Sequence, residues 1–179
     1  MKNITSLWLK LRKTLLLSVK IFIVLITINT FVHCEQIASK KLIGKINWND
    51  WKNNCGWDLI ATYEYFSPDS IKINKLKKLI SLTGTDSLKF IIFATIHCEE
   101  CKENLPQLMK ILKELKIPES IIELYGLDDK LEEPTKTYKN YDIDTTPILF
   151  IEYKNKLVAE ISYPYIWIES MIEVFESLK

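Results

Sequence analysis

The chain has 179 residues, of which 24 are basic and 23 acidic, and its formal net charge is +1. The two signs are spread along the chain, so no broad positive surface for nucleic acid is predicted. Only four glycines occur, and no two of them are spaced as in a phosphate-binding glycine loop. The composition disfavours a nucleic-acid-binding or nucleotide-dependent protein and favours a single packed domain.

The amino-terminal segment has the layout of an export signal. Basic residues from Lys2 to Lys20 precede an apolar run at residues 21–32, which is shorter than the roughly 20 residues that span a bilayer. We therefore expect residues 1–36 to be a signal peptide or a membrane anchor, and residues 37–179 to be the folded domain. Because the positive charges come first, that domain is expected outside the cytoplasm, in the periplasm or cell envelope.

Cys34 follows the apolar run directly. Bacterial lipoproteins carry lipid on a cysteine at this place, but the usual small residue before it is missing, because His33 stands there. Lipidation thus remains a third alternative beside cleavage and anchoring, and the simpler expectation is a thiol without a role.

Apolar periodicity and turn residues predict the remaining elements. Residues 46–57 contain Trp48, Trp51 and Trp57 and indicate a short helix or loop whose indoles cover the core. Strands are predicted at residues 59–66, 88–95, 121–125, 147–153 and 156–162, and helices at residues 71–82, from the paired cysteines to Pro118, at 132–141 and at 167–178. This order predicts an α/β fold with a central mixed β-sheet that is flanked by helices on both faces.

Cys98 and Cys101 follow the buried strand predicted at residues 88–95. Two cysteines three residues apart at a helix start lie on one side of the helix and are close enough to be bridged. Cys98, at the helix N-terminus, is expected to favour the thiolate and to be the attacking sulfur. Cys101, one turn inside, is expected to be a buried thiol that resolves the mixed disulfide.

Three neighbours are expected to modulate the acidity of the pair. Glu99 and Glu100 add negative charge beside the thiolate, which opposes the helix dipole and favours a reducing centre. His97 precedes Cys98.

A CxxC pair alone also occurs in zinc sites, haem sites and structural bridges. Haem attachment is excluded because Lys102, not His, follows the second cysteine. A structural zinc site needs four ligands, and after signal removal only Cys55, Cys98, Cys101 and His97 are soft candidates, so zinc is disfavoured and no resident metal is expected. A copper(I) site formed by His97, Cys98 and Cys101 remains an alternative, and Cys55 has no partner that the sequence indicates.

The surroundings of the pair resemble the thioredoxin superfamily. The resemblance covers residues 59–179 and rests on the buried strand before Cys98, on Pro106 five residues after Cys101, and on Thr146-Pro147 before a strand. Exported, membrane-linked bacterial members of the TlpA type are nearest in general plan. Two departures are His97 in place of the usual Trp, and Ile92 where many thioredoxins bury an acid.

The resemblance implies a three-layer thioredoxin-like fold and a thiol-disulfide oxidoreductase. Thr146 and a cis Pro147 would receive the substrate backbone, and the redox-active Cys98–Cys101 disulfide would replace any separate cofactor. The expected partners are protein thiols and disulfides, an unidentified redox partner, and the membrane if the N-terminal segment is retained. A thioredoxin-like interaction domain with an inert bridge is a further alternative.

Overall fold

The structure of this chain is a computed structural model that describes Lys20 and residues 42–179. Apart from Lys20, the predicted export segment lies outside the described residues, and so does Cys34. Residues 41–179 belong to one compact unit. No helix within the described part of the chain combines the length and the apolarity needed to cross a membrane.

A single mixed sheet organises this unit. Its strands are β1 (Gly44–Ile46), β2 (Leu88–Thr95), β3 (Ile122–Leu127), β4 (Ile148–Tyr153) and β5 (Lys156–Ile161). Their order across the sheet is β1-β3-β2-β4-β5, with β2 and β3 parallel and every other neighbouring pair antiparallel. The structure therefore confirms the predicted α/β class, the buried central strand and the hairpin.

Strand β1 was not predicted, because three residues carry too little pattern. It lies against β3 with Gly44 opposite Gly126. A Cβ at Gly126 would stand 1.6 Å from the carbonyl oxygen of Leu42, so only glycine allows the chain to pass this closely.

The two faces of β2 enter different cores, because side chains alternate along a strand. Phe90, Ile92 and Ala94 face the larger core, whereas Ile91 and Phe93 face the smaller one. Four helices supply the larger core: α1 (Trp48–Asn54), α2 (Ser70–Thr83), α3 (Glu99–Glu114) and α4 (Trp167–Ser177). The helices predicted at residues 71–82, after the cysteines and at residues 167–178 are thereby confirmed, and so is the short helix that bears Trp48 and Trp51.

The opposite face is covered by the segment between β3 and β4, which contains only the 3-10 helix Thr137–Asn140. The α-helix predicted at residues 132–141 is therefore wrong. Glu133, 4% exposed, accepts hydrogen bonds from the backbone N–H groups of Thr135, Thr137 and Tyr138. A carboxylate that takes these donors favours a tight turn over a regular helix.

The strand predicted at residues 59–66 is also wrong. A five-residue π-helix, Ile60–Glu64, stands there and packs against α3. Tyr63 is buried, whereas Ile60 and Tyr65 are exposed, so the apparent alternation of apolar residues reflects one inward aromatic side chain rather than a two-sided strand.

Candidate active site

The helix that bears the cysteines begins at the end of the central strand. Strand β2 ends at Thr95, a turn follows, and Cys98 is the N-cap of α3 with an extended backbone (φ −80°, ψ 121°). Its Sγ atom accepts a hydrogen bond from the backbone N–H of Cys101 at 3.2 Å. The sulfur thus occupies the place where N-cap side chains satisfy free backbone donors and where the helix dipole favours negative charge.

The two thiols differ sharply in burial. Cys101 is fully buried, whereas Cys98 is partly exposed. Burial raises the pKa of Cys101 to about 12, and the Thr146 hydroxyl and the backbone of Thr95 oppose that rise. At neutral pH Cys101 is therefore a thiol, and Cys98 is the sulfur that a partner can reach.

The loop before β4 packs directly on the cysteine pair. The Thr146–Pro147 peptide bond is cis, and both residues are buried. The Cys98 thiol donates a hydrogen bond to the carbonyl oxygen of Thr146 at 3.1 Å. Four of the residues singled out in the sequence, Cys98, Cys101, Thr146 and Pro147, thus lie together in the structure.

The three charged or titratable neighbours lie on the solvent side instead. His97, Glu99 and Glu100 are all exposed, and Glu99 forms an ion pair with Lys102. None of the three makes a hydrogen bond to either sulfur within the described residues.

The copper(I) alternative needs His97 beside both thiols. Within residues 42–179, no group of three or more His, Cys, Asp or Glu side chains is close enough together to hold a metal ion. The structure therefore does not assemble the ligand set that this alternative named.

Sequence reasoning missed two residues that support the site. The Trp57 indole donates a hydrogen bond to the carbonyl oxygen of Ile96 at 3.2 Å and so holds the turn before Cys98. Thr95 Oγ1 lies 3.3 Å from Thr146 Oγ1 and links β2 to the cis-proline loop. Thr95 could have been noticed as the polar residue that ends an apolar run, whereas nothing local indicates the Trp57 contact.

Helix α3 contains Pro106, whose missing N–H leaves a gap in the helix hydrogen bonds. Two residues before it, buried Asn104 donates a side-chain hydrogen bond to the carbonyl oxygen of Glu100 at 2.9 Å. Ile92 is fully buried in β2, so the larger core contains an apolar side chain at the position where the resemblance suggested an acid.

Cys55 caps the C-terminus of α1 and is buried. Its thiol lies 3.7 Å from the carbonyl oxygen of Lys52, and burial raises its pKa. Cys55, Cys98 and Cys101 are all free thiols.

The sheet order, the helix that starts at Cys98 and the cis-proline loop together define a thioredoxin-like α/β fold. No family profile matches this chain, and no curated protein matches it in sequence.

Several solved structures are similar to it. Thioredoxin from Fasciola hepatica is 21% identical, with a TM-score of 0.38, over 58% of this chain and 91% of the other. A designed protein is 19% identical, with a TM-score of 0.37, over 57% and 86%. A protein of unknown function from Pseudomonas aeruginosa is 11% identical, with a TM-score of 0.32, over 74% and 96%.

Proposed function

We propose that this chain is an exported thiol-disulfide oxidoreductase that reduces or rearranges disulfides in other proteins. The observation that supports the proposal best is the inequality of the two thiols. Cys98 caps a helix and is partly exposed, whereas Cys101 is fully buried behind it. An attacking sulfur and a resolving sulfur need these two environments.

The reaction consists of two exchanges. The Cys98 thiolate attacks one sulfur of a substrate disulfide, which forms a mixed disulfide and releases the other substrate sulfur as a thiolate that takes up a proton. Cys101 then loses its proton and attacks Cys98 Sγ, which forms the Cys98–Cys101 disulfide and releases the second substrate thiol. Two electrons pass to the substrate, and an external dithiol returns the pair to its reduced form.

Thr146 and Pro147 act as the substrate-binding loop in this proposal. The Thr146 carbonyl oxygen accepts from the Cys98 thiol, so it is a free acceptor once that proton has left. An extended substrate backbone can then donate an N–H to it, which would place the substrate disulfide beside Cys98.

An exposed apolar surface supports a polypeptide substrate. Ile161, at the end of β5, pairs with Leu149, two residues after Pro147, so the chain that follows β5 begins at the thiol end of the sheet. Three large side chains in that segment are exposed: Tyr163 at 71%, Tyr165 at 75% and Ile166 at 44%. Apolar side chains at this place suit the apolar flanks of an unfolded or extended chain.

The reductive direction follows from the charges beside Cys98. Glu99 and Glu100 are exposed next to the sulfur that must carry the thiolate. Negative neighbours disfavour a second negative charge, so the reduced pair is stabilised less than in a strong oxidant. Export remains part of the proposal and rests on the basic-then-apolar pattern of residues 1–36.

Insulin-disulfide reduction tests the activity. Cys98→Ser should abolish it, and Cys101→Ser should accumulate mixed disulfides on Cys98. Cys55→Ser is the matched control and should retain full activity, because the thiol of Cys55 lies against the carbonyl oxygen of Lys52 and caps α1 instead of α3. Full activity of Cys98→Ser would refute the proposal.

A redox titration separates this proposal from the inert-bridge alternative. A structural disulfide typically has a potential below about −300 mV, whereas catalytic pairs lie higher. A Cys98–Cys101 potential above that value supports the oxidoreductase, and a lower value supports the interaction domain.

A further inference from the structure

A cavity lies beside the C-terminal half of α3, whereas the cysteines lie at the start of this helix. Its volume is about 360 Å³, which is in the range of small-molecule sites. Trp48 and Tyr63 both line it, with their ring centroids 5.5 Å apart. Its apolar wall comes from β1, α3, β3 and the loop after α3, and includes Ile46, Met109, Ile117 and Leu124.

Three lysines gather over one of these rings. The Nζ atoms of Lys52, Lys110 and Lys113 lie 5.3, 5.5 and 5.9 Å from the centroid of the Tyr63 ring. Because all three contact the same ring, their positive charges lie near one another. None of the three forms an ion pair with a carboxylate in the described part of the chain.

Two of these lysines, Lys52 and Lys113, line the cavity itself. Glu119 is the single carboxylate among its described lining residues, and that residue is exposed. The Tyr63 ring offers the ammonium groups its negative face, but it does not neutralise their charge. An anion beside them would do so, and the attraction is strong where water is partly excluded.

We propose that this cavity binds a small amphipathic carboxylate. Its apolar body packs against Met109, Ile117 and Leu124, and its carboxylate lies between Lys52 and Lys113. The apolar wall and the unneutralised positive charge are both accounted for by a ligand that has an apolar body and a carboxylate. A purely apolar ligand would leave the charge of the lysines unneutralised, and a small inorganic anion would leave the apolar wall of the cavity exposed to water.

This site does not depend on the thiols. Lys113 lies twelve residues after Cys101 in the same helix, α3, which corresponds to about 18 Å along the helix axis. Cys98→Ser should therefore bind the carboxylate as the unaltered chain does, so the failure of one proposal leaves the other standing.

Isothermal titration of the full chain with octanoate is the direct test, with octanol and inorganic phosphate as the two comparison ligands. Octanoate should bind at least about tenfold more tightly than either, which corresponds to about 1.4 kcal/mol. Equal binding of octanol would overturn the role of the lysines, and equal binding of phosphate would overturn the role of the apolar wall. No binding of octanoate would overturn the proposal.

Variants place the ligand in this cavity. Lys52→Gln combined with Lys113→Gln should weaken octanoate binding at least tenfold, whereas Lys78→Gln, an exposed lysine of α2, should not. Unchanged octanoate binding in the double lysine variant would show that the ligand lies elsewhere.

Discussion

The thiol of Cys98 donates a hydrogen bond to the carbonyl oxygen of Thr146, 3.1 Å away, although the two residues are 48 positions apart in the chain. The contact joins the start of helix α3 to the loop before β4. The protonated Cys98 thiol makes this hydrogen bond, and the carbonyl oxygen of Thr146 becomes a free acceptor when the thiolate forms. In the proposed function this oxygen would accept first from the resting thiol and later from the substrate backbone.

Alkylation should separate the two thiols. Between about pH 6 and pH 10, iodoacetamide should modify Cys98 and leave native Cys101 unmodified, because the buried Cys101 has a pKa of about 12 and no access to solvent. Mass spectrometry of peptides from the treated native protein checks this, and the urea-unfolded protein, in which both react, is the control. Similar rates at the two native cysteines would contradict the assignment of their roles.

Thr146→Val should slow the resolving step. The Thr146 hydroxyl lowers the pKa of Cys101 and also contacts Thr95, so its removal leaves Cys101 harder to deprotonate. We expect turnover in insulin reduction to fall by about threefold to tenfold, with more trapped mixed disulfide. Thr85→Val, in the loop before β2, is the control and should leave turnover unchanged. Turnover of Thr146→Val that matches this control would show that the hydroxyl has no part in resolution.

Glu133→Gln should destabilise the chain at neutral pH by about 2 kcal/mol, since hydrogen bonds to a charged acceptor are the strong ones. Burial raises the pKa of Glu133, but the hydrogen bonds from Thr135, Thr137 and Tyr138 outweigh it, so the pKa lies below its ordinary 4.5. The carboxylate therefore contributes stability that is present above pH 4.5 and is lost as the pH falls through the lowered value.

Urea unfolding at a series of pH values measures this effect. The difference in free energy of unfolding between the wild type and Glu133→Gln should shrink on acidification. Glu173→Gln, an exposed residue of α4, serves as the control and should show little difference at any pH. A pH-independent difference for Glu133→Gln would indicate that packing rather than charge is responsible.

Thr62→Val should stabilise the chain. The Thr62 hydroxyl is buried in the π-helix and has no hydrogen-bond partner among the residues that the structure describes, and valine has nearly the same shape without the polar atom. We expect the free energy of unfolding to rise by about 1 kcal/mol, because the cost of the unsatisfied group disappears. Chemical denaturation measures the change, and a loss of stability would mean that the hydroxyl has a partner in solution.

Patterns within a few residues predicted much of the fold. Strand β2 is a nearly continuous apolar run, interrupted by the exposed Lys89, and helix α4 repeats its apolar side chains about once per turn, so both elements could be predicted from the local pattern. The failures have a common cause. The Ile60–Glu64 helix depends on packing of Tyr63 against α3, and the turn at Glu133 depends on one carboxylate that collects backbone donors.

The candidate site divides in the same way. Cys98, Cys101, Thr146 and Pro147 stand in short local patterns, so the sequence could name them. The contact between Trp57 and Ile96 joins positions 39 residues apart, and no local pattern encodes it. Trp57 thus reaches the turn before Cys98 from another segment of the chain.

The Trp57 indole gives the stretch from Leu42 to Trp57 a structural role at the turn before Cys98. The Trp57 ring packs on Trp51, with 5.5 Å between the ring centroids. Its N–H donates a hydrogen bond to the turn that leads to Cys98. A protein shortened to begin after Trp57 would keep both cysteines of the pair but lose the hydrogen bond that holds this turn. A shortened protein that keeps this hydrogen bond and the contact with Trp51 must therefore begin before Trp51.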